Sequence, residues 1–193
     1  MMKWLAVAVA LVAVNPAFAG PYQPVDKVSV PDAKRTAAGL YVTAPEAHAM
    51  KTAGAGAVLF LDIRTRGEFM FLGSPTVTDA NVPYVEMEEP PTWDAANKRY
   101  KLSHNSDFVA AVAARMEKRG LGKGDPIILL CRSGDRSARA ADLLQQVGFS
   151  RVYSVLDGFE GDLGKEGRRD VNGWKNADLP WTYQMDEGKA YLR

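Results

Sequence analysis

Short runs of unbroken apolar residues alternate along this chain with longer stretches whose apolar positions fall on one helical face. Residues 58–62, 127–130 and 152–155 are runs of strand length, and residues 81–85 form another. Helical signals lie between them. Thr43 and Glu46 have the spacing of a capping box over residues 44–50, with Gly54 as a stop. Asn105 or Ser106 can cap a helix that places Phe108, Val112 and Met116 on one face before Gly120 ends it. Residues 137–146 are rich in helix formers and stop at Gly148. Strands separated by helices predict an α/β fold: one domain with a mainly parallel central sheet and helices on both faces. The domain is expected over residues 39–185, after an irregular, proline-rich arm at 20–38 and before a tail at 186–193.

The first residues follow a different pattern. Lys3 gives a short positive start, residues 4–14 are an apolar run, and Asn15-Pro16 breaks it ahead of Ala17-Phe18-Ala19. This predicts a signal peptide over residues 1–19, and so a periplasmic or secreted protein. The run is shorter than the ~20 apolar residues of a membrane helix, so no stable membrane span is expected after cleavage.

Charge narrows the range of partners. The chain has 24 basic and 23 acidic residues, with Lys3 the only charge among residues 1–19. The processed protein is therefore close to neutral, which argues against broad attraction to nucleic acid or anionic membrane. One cysteine in an exported chain excludes an internal disulfide and leaves a thiol that is either reactive or intermolecular.

That cysteine opens the segment Cys131-Arg132-Ser133-Gly134-Asp135-Arg136-Ser137, between a predicted strand and a predicted helix. A lone cysteine at the end of a buried strand is commonly an inert core residue. An inert thiol, however, has no use for a flexible glycine flanked by arginines. Loop amides and a helix N-terminus both favour negative charge, so they are expected to lower the thiol pKa and stabilise a thiolate. Arg132 and Arg136, with their forked donors, suit an oxyanion. Arg139, joined by Arg64 and Arg66, is expected to extend a positive rim around the cysteine. Asp62, a strand-end carboxylate followed by Arg64, is expected to fix loop geometry through hydrogen bonds.

The segment from Cys131 to Ser137 resembles the active-site loop of rhodanese-like sulfurtransferases. Residues 59–69 are similar to that family's early strand and Asp-x-Arg turn, and Gly173-Trp174 and Leu179-Pro180 to its closing elements. The resemblance implies a single rhodanese-like domain in which Cys131 is the catalytic nucleophile and residues 132–137 bind substrate. It implies transfer of a sulfane sulfur from a small sulfur-containing anion such as thiosulfate to a thiol, a protein acceptor or cyanide, through a Cys131 persulfide. Arg136 follows Cys131 after four intervening residues, one fewer than in phosphatases that resemble the family, and Leu130 stands where those enzymes usually have histidine. Sulfur transfer is therefore preferred to phosphate or arsenate chemistry.

A non-catalytic sulfur-carrier or partner-binding module is the alternative reading. Residues 86–105 and 157–170 are longer than ordinary connections and are read as solvated loops, the former also suited to a lid or docking surface. His48 and His104 lack metal-ligand spacing, and no nucleotide-binding glycine loop is present, so neither a metal nor an organic cofactor is expected. A thiol of this kind, if exposed, is open to oxidation and to storage as a persulfide or mixed disulfide.

Overall fold

In the computed structural model, residue 23 and residues 25–192 are described, and the segment read as a signal peptide lies outside them. Tyr41–Val42 (β1) leads into Ala44–Gly54 (α1), and Leu59–Asp62 (β2) into Arg66–Leu72 (α2), followed by Ser74–Pro75 (β3) and Ala80–Asn81 (β4). Val85–Met87 (β5), Trp93–Asp94 (β6), Arg99–Tyr100 (β7) and Leu102–His104 (β8) precede Phe108–Lys118 (α3). Ile127–Leu130 (β9), Asp135–Gln146 (α4), Val152–Val155 (β10) and Trp181–Thr182 (β11) complete the set.

Strands that are buried at every position need cover on both faces, and β2 and β9 have it. They sit inside a five-stranded sheet of order β1-β10-β9-β2-β4 whose pairings are all parallel. Successive side chains point to opposite faces, so each strand feeds two cores. Leu59, Leu61, Ile127 and Leu129 pack with Phe108 and Val112 of α3 and with Ala141 and Leu144 of α4. Phe60, Ile128 and Leu130 pack on the other side with Ala44 and Ala47 of α1 and with Phe159 and Trp174. Cys131 continues the series Ile127, Leu129 and therefore turns toward the α3 and α4 face. The α/β architecture with a parallel sheet and helices on both faces is the one the apolar pattern predicts.

Several details differ from the sequence reading. The strand expected at residues 81–85 is divided: β4 joins the main sheet beside β2, while β5 pairs with β8. Pro83 lies between them and has no N–H to continue the ladder. The helix expected from Ser137 starts at Asp135, because Gly134 already makes the turn. Residues 86–105 are solvated, as expected, but not irregular. They form a β-hairpin arm in two parts, with Val85 opposite His104 and Trp93 opposite Tyr100. The arm is fastened at its base, where Glu86 accepts from the Arg66 backbone N–H at 2.8 Å and pairs with its guanidinium. The segment set apart as a tail packs on the domain: Arg115 donates to the carbonyls of Gly188 and Ala190, and Tyr191 is buried. In the N-terminal arm, Asp32–Lys34 form a 3-10 turn, and the Ala37 N–H donates to Asp142 of α4.

One carboxylate connects α1, β2 and α3. The buried Lys51 ammonium donates to Asp79 at 2.7 Å and to the carbonyls of Ala55 and Val58. Asp79 also accepts from the Phe60 N–H at 2.7 Å and from Arg119 at 2.9 Å. Asp79→Ala leaves a buried charge and a strand amide without their acceptor, and is expected to cost about 3–5 kcal/mol. Arg119→Ala removes only the more exposed partner and is expected to cost about 1 kcal/mol or less. Urea unfolding of the two variants checks this, and equal midpoints would show that Asp79 does not hold the buried charge.

Candidate active site

The C-terminal end of β9, at the centre of the parallel sheet, delivers Cys131 into a tight turn closed by α4. Gly134 is the pivot. Its φ is 101°, and a Cβ there would meet the Leu156 carbonyl oxygen at 2.1 Å, so only glycine fits. Gly158 approaches the same loop from the far side, where a Cβ would meet the Ser133 nitrogen at 2.5 Å. Residues after β10 hold the outer rim: Phe159 N–H donates to the Cys131 carbonyl at 2.9 Å and Glu160 N–H to that of Arg132 at 3.0 Å. The buried Asp157 steadies this support by accepting from the Ala44 N–H at 2.8 Å.

With the carbonyls of Cys131 and Arg132 bonded to residues 159–161, the loop amides are not used by that support. The Gly134 N–H donates to Cys131 Sγ at 3.1 Å. The backbone N–H groups of Arg132, Ser133, Asp135 and Arg136 have no acceptor among the described residues. The last two belong to the first turn of α4, where amides lack intrahelical partners and the helix dipole is positive. Ser137 Oγ lies 3.5 Å from Sγ. Its own hydrogen goes to the Gly134 carbonyl at 2.9 Å, and it accepts from Ser154 Oγ at 2.9 Å. Asp135 Oδ1 stands 3.9 Å from the sulfur.

Cys131 is buried rather than exposed, and it shares an apolar cluster with Leu129 and Ala140. Its polar neighbours all come from its own loop and the start of α4.

Both loop arginines are held by carboxylates. Arg136 makes a two-pronged pair with Glu68, both contacts at 2.7 Å. Arg132 pairs with Glu160. Burial alone would raise the Glu68 pKa, but the hydrogen bonds and charge of Arg136, with the Thr65 N–H and Arg64, hold it down at about 2. Burial likewise works against the Arg136 charge, and Glu68, Cys131 and Asp135 outweigh it and hold that guanidinium above its ordinary value. Glu68 was not singled out in the sequence. The signal was available, since Thr65 and Glu68 form a capping box of the same spacing as Thr43 and Glu46.

Asp62 and Arg64 lie beneath this pair. They form a fully buried ion pair, with Arg64 also donating to the Gly73 carbonyl at 2.7 Å and stacked 4.0 Å over the Phe159 ring. Asn81 donates to the carbonyls of both Asp62 and Arg64 at 2.9 Å. The turn into α2, and with it the position of Glu68, is thereby fixed. Arg64 and Arg66 do not contribute to the positive rim: the first is buried on Asp62 and the second is turned to Glu86.

Above the loop is a cleft of about 350 Å³. Arg132, Ser133, Asp135 and Arg136 of the cysteine loop line it, while Cys131 itself is buried and not part of the lining. Glu68 and Tyr84 form one side, and the hairpin arm contributes Arg99, Leu102 and His104. Arg139 of α4 and Arg169 of the glycine-rich loop complete it. Tyr84, Arg99, His104 and Arg169 were not assigned to the site from sequence. They are far from Cys131 along the chain: the arm brings Arg99 and His104 to the cleft, Tyr84 lies just before the arm, and the glycine-rich loop brings Arg169.

The arginine-lined cleft can hold an anion, and the adjoining loop, with the Gly134 N–H donating to Cys131 Sγ, can stabilise negative charge on that sulfur. The chain is 31% identical over 127 residues to an uncharacterised protein of Rickettsia conorii, covering 64% of this chain and 81% of the relative. It is 30% identical over 90 residues to the thiosulfate sulfurtransferase GlpE of Actinobacillus pleuropneumoniae, covering 43% of this chain and 68% of that enzyme. The crystal structure of Rv0390 from M. tuberculosis is similar at a TM-score of 0.58 and 30% identity, over 74% of this chain and 96% of its own. Residues 43–164, from the cap of α1 through the cysteine loop and past β10, match the rhodanese-like domain, and by that match over more than half its length the chain belongs to the rhodanese-like family.

Proposed function

We propose that this protein is a sulfurtransferase that carries a sulfane sulfur on Cys131. The observation that carries the reading is the Gly134 N–H donating to Sγ at 3.1 Å, in a loop whose other amides, at residues 132, 133, 135 and 136, have no acceptor among the described residues. In the first step the Cys131 thiolate attacks the outer sulfur of a donor such as thiosulfate. A new bond forms from Sγ, the S–S bond of the donor breaks, and sulfite leaves with the electron pair. The product is a cysteine persulfide whose terminal sulfur bears the charge. Amides of residues 132–136 and the first turn of α4 are placed to stabilise it. In the second step an acceptor thiolate takes that sulfur and Cys131 is released.

Arg132, with 43% of its side chain exposed, stands at the rim where the donor's oxyanion enters. Arg136 acts differently from the expectation that it grips the donor. Its guanidinium stays on Glu68, and it contributes fixed positive charge beside Cys131. Similarity to a thiosulfate sulfurtransferase supports thiosulfate as donor, and the signal-like residues 1–19 support action outside the cytoplasm. A carrier module without turnover shares the first step and differs in releasing its sulfur only to a partner protein.

Incubation with thiosulfate is expected to add one sulfur atom to the intact mass, removable by reductant, and Cys131→Ser is expected to abolish both the adduct and turnover. Normal turnover by the serine variant would refute the assignment.

The Glu68–Arg136 pair sets an acid limit. Its carboxyl has an ordinary value of 4.5 and a folded value of about 2, so its stabilisation is complete above pH 4.5 and is lost as pH falls toward 2. Glu68→Gln is expected to lower stability by roughly 3 kcal/mol at neutral pH and to flatten the acid dependence in that window. Denaturant melts at pH 7, 4 and 3 test it, and an unchanged acid slope would show that another carboxyl sets the limit.

A further inference from the structure

A strand inside a parallel sheet is covered on both faces and is ordinarily apolar. Ser154 stands in β10, between β1 and β9, and is fully buried. It lies two residues from Val152, which packs with Ala141 and Leu144 of α4, so it points to the same face. A hydroxyl buried there costs free energy unless its hydrogen finds an acceptor. The acceptor is Ser137 Oγ in the first turn of α4, at 2.9 Å, and the Ser154 side chain has no other partner among the described residues.

That contact decides what Ser137 can do. Because Ser137 Oγ accepts from Ser154, its own hydrogen goes elsewhere, and within reach are the Gly134 carbonyl at 2.9 Å, the Val155 carbonyl at 3.4 Å and Cys131 Sγ at 3.5 Å. The Gly134 carbonyl also accepts from the Ala138 N–H at 3.2 Å, so it keeps a partner when the Ser137 hydrogen leaves it. A charged sulfur is a stronger acceptor than a neutral carbonyl, and a hydroxyl that is itself accepting a hydrogen bond is a stronger donor. We infer that Ser154 is a positioning residue: through Ser137 it directs a hydroxyl hydrogen onto Cys131 Sγ whenever that sulfur is charged. This role rests on the sulfurtransferase reading, whose first step needs the charged sulfur, and it places part of the sulfur's support on β10, outside the cysteine loop.

The test reads the thiolate directly and needs no sulfur donor. Cys131 is the only cysteine, so the rise of thiolate ultraviolet absorbance with pH, taken as the difference from Cys131→Ala, belongs to this one atom. Ser154→Ala is expected to lower the ratio of thiolate to thiol about threefold along the rising part of that curve. Both curves are expected to reach the same plateau, since the sulfur itself is unchanged. In a Ser137→Ala background the same substitution is expected to have no further effect, because Ser154 acts through Ser137. The charged groups beside the sulfur, Asp135 at 3.9 Å and Arg136 with its partner Glu68, are common to all these variants, so differences between the curves report the hydroxyls. A Ser154→Ala curve that overlays the wild-type one would overturn the inference. An effect that persists undiminished without the Ser137 hydroxyl would also overturn it, and would assign the change to the packing of β10. Failure of thiosulfate to load the protein would count against the function proposed above, and these curves would still decide the role of Ser154.

Discussion

The contact between Gly134 and the Leu156 carbonyl is the constraint on which the site depends. With a positive φ at residue 134 and no room for a Cβ, the chain leaving β9 turns back on itself within three residues of Cys131 and enters α4 at once. The carbonyls of Cys131 and Arg132 accept from amides of residues 159 and 160, and the N–H of Gly134 itself reaches the sulfur. A side chain at position 134 would open the turn, displace the first amides of α4 and separate the dipole from the atom it acts on. Gly158, packed against the same turn from outside, makes the constraint two-sided.

A second layer fixes charge. Asp62 and Arg64 have no solvent contact and set the turn into α2, α2 presents Glu68, and Glu68 holds Arg136 beside the cysteine. Each link is a buried or largely buried pair, which costs free energy to desolvate and is expensive to break by halves. The function of such a chain is geometric. It keeps a guanidinium near the sulfur in one orientation while the remaining arginines stay open to solutes.

Much of the fold was legible because its strongest signals are local. The unbroken apolar run at 127–130 and the strand signal at 152–155 became central strands, and Thr43 with Glu46 became a capping box. The cysteine loop was legible for the same reason, all its parts lying within seven residues. What the sequence hid depends on distant pairing. Residues 86–105 contain Glu88, Glu89, Pro90 and Pro91, a composition that reads as loop, yet cross-strand pairs such as Glu86 with Ser103 make them an arm. His104 and Arg99 consequently reach a site that their position in the chain does not suggest. Burial of Cys131 was hidden too, because the run from Ile127 gives no mark of where its apolar face ends.

The arm leaves the main sheet after β4 and returns just before α3, and its pairing is with itself rather than with the central strands. Its amino acids can therefore be exchanged, lengthened or recharged with little disturbance to the turn around Gly134. A scaffold arranged in this way keeps the packing that fixes the cysteine turn apart from the pairing that shapes one wall of the cleft.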